Sequence, residues 1–321
     1  MKILCGFTEW HHIADVWKKM FNADTWIMPE QKNVNVDVGF DKYDIIYLYF
    51  LNENLTFWIK RIRECSNAKI LVSLDSGWWY VLTPWLKLVG LDQKQETLQN
   101  LSYADGFLAM NYHFANFLRK QFPNKKIFYD LFYPRDLPEI QPKSFFERKE
   151  LGKAVIMFHS MANAKIETQL QVAQRLGLKA VVIGTYQNMN ILRHHTRHYG
   201  NVELHTRFKN PQDYFNKLNE CLIGIEDYYD GGSRFTVECA SLGVPVVGTK
   251  TAWSLRFFMP ELTCEPMDVN CMVEKARDII SSPLRYQIIS QRIRRDVREY
   301  TSYEWTKRRL LKFFEKVLKN E

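Results

Sequence analysis

The stretch from Leu222 to Thr249, LIGIEDYYDGGSRFTVECASLGVPVVGT, constrains the fold more than any other. Leu222, Ile223 and Ile225 make a short apolar run of the kind a parallel sheet buries on both faces. Gly231 and Gly232 follow, where a backbone can turn tightly or approach a ligand closely. Ser233 reads as an N-cap. Phe235, Val237, Glu238, Ala240 and Leu242 fit one helix ending at Gly243, and Val244, Val246 and Val247 form the next strand. The helix therefore starts at the carboxyl end of a strand. There an open α/β sheet presents free backbone N–H groups and the helix dipole to an anion.

The alternation of strand and helix continues through the chain. KAVIMFH and KAVVIGT read as strands, with AKIETQLQVAQRLG as the helix between them. In the first half YDIIYLYF and KILVSL are strong strands, and GFLAM and KIFYDLF weaker ones. LTFWIKRIREC and YHFANFLRKQF read as helices. The segment Tyr133 to Leu151, with three prolines and many charges, reads as a linker. A length of 321 residues accommodates two domains.

Asp230 and Glu238 frame the glycine turn eight positions apart. DGGSRFTVECASLGVPVV resembles the E-x7-E signature of retaining GT-B glycosyltransferases of glycosyltransferase family 4, whose usual form is like EGFGLVLLEAMACGLPVV. Asp230 replaces the first glutamate. The resemblance runs over about residues 153–318. NVELHTRF is similar to the family's NVIFLGRV, and NPQDYFNKLNEC to the helix before the motif strand. YTSYEWTKRRLLKFFEKVL is similar to the family's ending. In that ending Trp305, Leu310, Leu311, Phe314 and Leu318 recur at helical spacing and predict a core face. ADGFLAMNYHFANFLRKQFPNKKI resembles a segment late in the family's first domain.

The resemblance implies an α/β protein of GT-B fold, two Rossmann-like domains facing each other across a cleft. Residues 1–140 would be the acceptor-binding domain and 150–300 the nucleotide-sugar domain. Residues 301–321 would be a helix packing back toward the first. It implies an enzyme that moves a sugar, with retention, from a UDP- or GDP-sugar to an acceptor hydroxyl. The donor is a substrate, so neither a cofactor nor a metal is called for. Glu238 would accept the ribose hydroxyls, and Asp230 would contact the transferred sugar. Gly231, Gly232, Ser233 and Arg234 would line the diphosphate. The family places an arginine and a lysine after the first strand of its second domain. HSMANAK has Lys165 at the lysine position and Ser160 at the arginine position, and Arg234 could supply the missing charge. Ser160 and Arg207, the latter within NVELHTRF, complete the expected donor contacts of that domain. Gly6 stands where the first glycine-rich loop would be. At the end of ILVSL family members often carry a histidine facing the sugar. Here Asp75 stands there, either as a base toward the acceptor hydroxyl or as a cap of the following turn.

The acceptor is less constrained. DSGWWYVLTPW brings Trp78, Trp79 and Tyr80, whose rings either stack on an acceptor or fill a core. The helix pattern of Trp10, Ile13, Trp17, Met20 and Phe21 reads as packing on the sheet in preference to membrane contact. The net charge of +8 is almost entirely C-terminal. Residues 1–150 carry 19 basic and 18 acidic side chains, and the remainder 25 and 18. The excess in RIRRDVRE and TKRRLLKFFEKVLK is a solvated helix face or a contact for a polyanion. The expected acceptor is a glycan or a lipid-linked glycan, with peripheral membrane contact as an option. The alternatives are DNA, as in phage-type enzymes acting on modified bases, and a non-catalytic binding protein of the same fold.

No run of 18 apolar residues predicts a membrane span, and the N-terminal apolar run is too short for a signal peptide. Six cysteines without a C-x-x-C pair suggest reduced thiols and a cytoplasmic protein. His194, His195 and His198 lack an accompanying Cys or carboxylate set, so a surface helix is expected there and not a metal site.

Overall fold

The computed structural model describes residues 1–7, 13–30, 38–51, 56–74, 91–109, 112–129, 134, 136–158, 166–184, 189–206, 208–227 and 234–319. The chain forms two compact units, one of Met1–Arg135 with Thr301–Glu321, the other of Asp136–Tyr300. Each is built on a six-stranded sheet whose paired strands are all parallel.

In the first unit the strands are β1 (Ile3–Phe7), β2 (Asp24–Ile27), β3 (Ile45–Leu51), β4 (Lys69–Leu74), β5 (Gly106–Leu108) and β6 (Lys126–Phe128). Their order is β2-β1-β3-β4-β5-β6. The helices are α1 (Ile13–Phe21), α2 (Phe57–Cys65), α3 (Leu91–Ser102) and α4 (Tyr112–Gln121). Period-2 alternation splits the apolar side chains of each strand between two cores. Ile3, Cys5, Phe7, Ile45, Tyr47 and Tyr49 join Trp17 and Met20 of α1 on one face. Leu4, Ile46 and Leu48 join Trp58, Ile59 and Ile62 of α2 on the other. The Trp58 indole donates to the Pro29 carbonyl at 2.9 Å. Within α1, Trp17 lies against Tyr47 with ring centroids 4.3 Å apart, so this helix does pack on the sheet. Trp10 lies outside the described residues.

The second unit begins with α5 (Phe145–Leu151) and β7 (Lys153–Phe158). It continues with α6 (Ile166–Arg175), β8 (Lys179–Gly184), α7 (Met189–Thr196), β9 (Val202–Thr206), α8 (Pro211–Asn219) and β10 (Ile223–Glu226). Then come α9 (Arg234–Ser241), β11 (Val246–Thr249), α10 (Trp253–Phe258), β12 (Thr263–Cys264), α11 (Val269–Ile280) and α12 (Pro283–Tyr300). The strand order is β12-β11-β10-β7-β8-β9.

The segment read as a linker contains α5. Ser144 accepts from the Glu147 backbone N–H, and the Glu147 carboxylate accepts from that of Ser144 at 2.7 Å. This is a reciprocal capping box. Gly152, at φ 58°, ends the helix. From α5 the buried Arg148 guanidinium donates to the carbonyls of Asn219 at 3.1 Å, Leu242 at 2.7 Å and Gly243 at 2.9 Å. It also reaches the Asn219 amide oxygen at 2.8 Å and the Tyr286 hydroxyl at 3.1 Å. It thereby satisfies carbonyls left open where α8 and α9 end.

The last helix, α13 (Tyr303–Leu318), belongs to the first unit. Ser302 caps it by accepting from the Trp305 N–H. Its buried face is Leu310, Phe313, Phe314 and Val317, whereas Leu318 is exposed. Leu310 and Phe314 hold the expected face and Leu311 packs partly against the same core, while Phe313 and Val317 are buried where Leu318 was expected. Phe314 packs on Trp17 and Phe313 on Phe128, because β6 and α1 together receive this helix. The cysteine reading is also corrected at one place. Cys264 and Cys271 form a disulfide, with Cα atoms 6.0 Å apart, between β12 and the first turn of α11. Cys5, Cys65, Cys221 and Cys239 are free.

Candidate functional site

In the second unit β8 and β9 follow β7 outward on one side, while β10, β11 and β12 build on the other. The order therefore reverses between β7 and β10, which pair directly, Ile223 against Ala154 and Ile225 against Ile156. In open parallel sheets, ligands bind outside the carboxyl ends of the strands at such a reversal. The chain leaves β7 into residues 159–165 and β10 into residues 228–233. Ser160, Lys165, Asp230, Gly231, Gly232 and Ser233 belong to those stretches and lie outside the described residues, as do Arg207, Asp75, Trp78, Trp79 and Tyr80. Gly6, Arg234 and Glu238 are described.

Glu238 lies in α9, one turn after Arg234. A glycine lets this helix sit close to the sheet. A Cβ at Gly224 would come within 3.2 Å of the Phe235 ring of this helix, and one at Gly248 would lie 1.8 Å from the Glu226 carbonyl of the neighbouring strand, so that second glycine serves strand pairing. Every residue of α9 from Phe235 to Ser241 is buried. Glu238 retains only 7% of its exposure. The Tyr214 hydroxyl, from α8, donates to its Oε2 at 2.7 Å. The Arg234 Nε lies 3.5 Å from its Oε1, with the arginine side chain 58% exposed. Burial, together with the adjacent Glu238 carboxylate, pushes the Tyr214 phenol well above its usual range, so it stays a proton donor.

Two more acids stand at the end of β10. Glu226 is buried and accepts from the Thr236 hydroxyl of α9, and Asp227, the next residue, is fully buried. Neither is among the residues expected at the site, although two acids ending an apolar strand are visible in the sequence. Nor is Tyr214, which nothing local marks.

Gly6 is not in a loop. It is the fourth residue of β1, paired with Trp26 and Leu48, and a Cβ there would come within 2.9 Å of the Leu48 side chain. Its place is explained by packing between strands. His195 lies 2.5 Å from Glu167, and His198 accepts from Arg197 at 2.9 Å. His194 meets the His195 ring edge-on. No described helix is long and apolar enough to cross a membrane.

No protein-family model matches the chain, and no curated protein matches it in sequence. Solved structures do match. Sucrose-phosphate synthase from Thermosynechococcus elongatus aligns with a TM-score of 0.74 at 11% identity, over 100% of this chain and 100% of that one. Anabaena HepE in complex with UDP aligns at 0.76 and 12% identity, over 98% of this chain and 100% of that one. A trehalose-6-phosphate synthase, from work on glycosyl transfer with retention, aligns at 0.64 and 10% identity, over 85% of this chain and 73% of that one. These likenesses establish the fold: two parallel six-stranded α/β units of GT-B type.

Proposed function

We propose that this protein is a glycosyltransferase that moves a sugar, with retention, from a nucleoside-diphosphate sugar to an acceptor hydroxyl. The observation that carries the proposal is Glu238. It is a nearly buried carboxylate in the helix that follows β10, beside the strand-order reversal, with one oxygen bound by Tyr214 and the other near Arg234. Burying an acid is costly even where it is hydrogen-bonded, perturbed acids gather at functional sites, and a carboxylate there suits the paired hydroxyls of a ribose. The fold shared with UDP-bound HepE supports a nucleotide-sugar donor, and the trehalose-6-phosphate synthase likeness favours retention.

In this reading the bond from the anomeric carbon to the diphosphate oxygen breaks as the acceptor oxygen bonds on the same face. The acceptor proton passes to the leaving diphosphate. Arg234 and Lys165 stabilise the charge growing on that group, with backbone donors of Gly231, Gly232 and Ser233. Asp230 holds the hydroxyls of the transferred sugar. A glycan or lipid-linked glycan is the proposed acceptor.

One observation favours DNA as a second reading. On α12 the Nε atoms of Arg294 and Arg298 are buried without a hydrogen-bond partner among the described residues. Burial, then the charges of Arg298 and Arg148, push the Arg294 guanidinium below its usual range. A polyanion along the exposed side of this helix would offset that repulsion between like charges without reaching the buried Nε atoms. The deciding experiment incubates the protein with radiolabelled UDP-, GDP- and ADP-sugars against glycan, lipid-linked and hydroxymethylated DNA acceptors, followed by NMR of the product's anomeric configuration. Label in a glycan with the donor's configuration supports the first reading, and label in DNA supports the second. No label anywhere with a donor that binds would sink the enzymatic reading.

A further inference from the structure

We infer that the outer face of α13, with the adjoining part of α4, is a docking surface for a lipid bilayer that carries anionic phospholipid. Cations of the two helices meet there around Tyr129, the residue after β6, within the first unit alone. A lipid-linked acceptor would be met on such a surface, but the docking stands or falls independently of the donor-site reading above.

Helix α13 holds five cations and two acids. Leu310, Phe313, Phe314 and Val317 turn its apolar face inward, which leaves Arg308, Lys312 and Lys316 exposed on the other side. Four residues apart, these three form a stripe about 12 Å long at about 1.5 Å per residue. Like charges at that spacing repel, so helix stability does not account for the stripe. Lys316, in the last turn, complements the helix dipole, but Arg308 and Lys312 lie too far from the end to do so. Among the described residues no acid is ion-paired with any of the three, Glu304 and Glu315 of the same helix included. Beside the stripe, Arg309 donates to the Tyr129 carbonyl at 3.2 Å and lies over the Trp305 ring at 4.4 Å. Arg119 of α4 lies over the Tyr129 ring at 4.8 Å. The rings decide what the patch fits. Tyr129 is 39% exposed and Trp305 half-buried. Rings with an apolar body and a polar edge settle at the headgroup level of a bilayer, where lysine and arginine stems lie along apolar surface with their charges among the phosphates. Nucleic acid bound without sequence preference stacks its bases on ring faces. Here a guanidinium already lies over one face of each ring.

Docking and a merely solvated helix face are separated by three variants beside the unmodified protein. One is Lys312→Gln alone. The second combines Arg308→Gln, Lys312→Gln and Lys316→Gln. The third removes the same charge from exposed sites of the second unit, Lys149→Gln, Arg285→Gln and Arg295→Gln together. Each protein is sedimented with phosphatidylcholine vesicles, with and without phosphatidylglycerol, at low and at physiological salt. Each is also mixed with single- and double-stranded DNA in a shift assay. The expected result is binding to the anionic vesicles alone, weakening as salt screens exposed charges. Lys312→Gln should cost about fivefold in vesicle affinity and the stripe triple about 100-fold, at about fivefold per cation near an anionic surface. The second-unit triple should stay within about threefold of the unmodified protein. The stripe triple should melt no lower than the unmodified protein, since its repelling pairs are gone, so lost binding is not lost fold. No sedimentation with anionic vesicles at low salt overturns the inference. An equal loss in the second-unit triple overturns it too, because net charge would then be the cause. DNA retained by the unmodified protein and released by the stripe triple, without vesicle binding, also overturns it and assigns the stripe to nucleic acid. Nucleotide-sugar binding is read separately, so the donor reading survives each of these outcomes.

Discussion

The two units are built alike and differ in what they bury. In the first, every buried polar residue among those described is neutral: Thr56, Ser66, Ser73, Thr97, Asn100, Thr301 and Thr306. In the second, four buried residues are charged: Arg148, Glu226, Asp227 and Glu238. Burying a charge costs far more than burying a hydroxyl, so four in one unit and none described in the other is not a matter of size. The four also divide by position. Arg148 serves the amino end of β10, where Tyr286, which it contacts, donates to the Leu222 carbonyl at 2.8 Å. Glu226 and Asp227 stand at the carboxyl end of the same strand, and Glu238 stands one turn into the helix that follows it. One end of β10 uses charge to close helix termini. The other keeps charge where the sheet order reverses and ligands bind.

The largest expected effect comes at the closing end. Arg148→Met should destabilise the protein by about 3–5 kcal/mol in urea titrations, since three buried carbonyls lose donors at about 1–3 kcal/mol each and the relieved guanidinium offsets part. A loss below about 1 kcal/mol would mean that this arginine is as dispensable as a surface one. Next comes Thr236→Val, which takes a donor from the buried Glu226 and should cost about 1–2 kcal/mol by the same measurement. In the first unit Ser66→Ala is the matched neutral case. Its hydroxyl donates to the Phe40 carbonyl and accepts from the Ala68 N–H, both at 3.0 Å, and its loss should cost about 1 kcal/mol. If it cost more than Thr236→Val, the contrast between the units would collapse.

The smallest effect is one of pH. Burial acts to raise the Glu203 carboxyl, but hydrogen bonds from Lys179, His205 and Lys217 override it and lower it to about 2. A depressed carboxylate contributes stability above its unfolded pKa and loses it as pH falls toward its folded one. Between about pH 4.5 and 2, Glu203→Gln should therefore lose less stability than the unmodified protein, by about 1 kcal/mol once solvent screening is allowed for. Parallel acid titrations followed by circular dichroism would show the two curves converging. Curves that stay parallel would remove Glu203 from the account.

Legibility from sequence followed the range of the contacts. The β10–α9–β11 unit was readable because its apolar runs, glycines and helix spacing all lie within 28 residues. α5 was hidden by prolines and charge around it, although Ser144 and Glu147 held the capping-box spacing. The burial of Arg148 was unreadable, since its partners lie 71 to 138 positions away. The same holds for Tyr214, whose role depends on how α8 and α9 pack. The core face of α13 was legible at Leu310, Leu311 and Phe314 but not at Phe313, whose partner Phe128 comes from a distant element. Of the expected site, Glu238 and Arg234 are described one turn apart, and the glycine turn lies outside the described residues.

The central claim is that Glu238, in the helix that follows β10, serves a nucleotide. Anything that binds only the folded state raises its melting temperature by mass action. Melting the unmodified protein and Glu238→Ala with millimolar UDP, GDP and ADP tests this directly. The account predicts that one of the three raises the melting temperature of the unmodified protein, and that this rise is lost or sharply reduced in Glu238→Ala. A rise of equal size in both proteins, or none with any nucleotide, would contradict it.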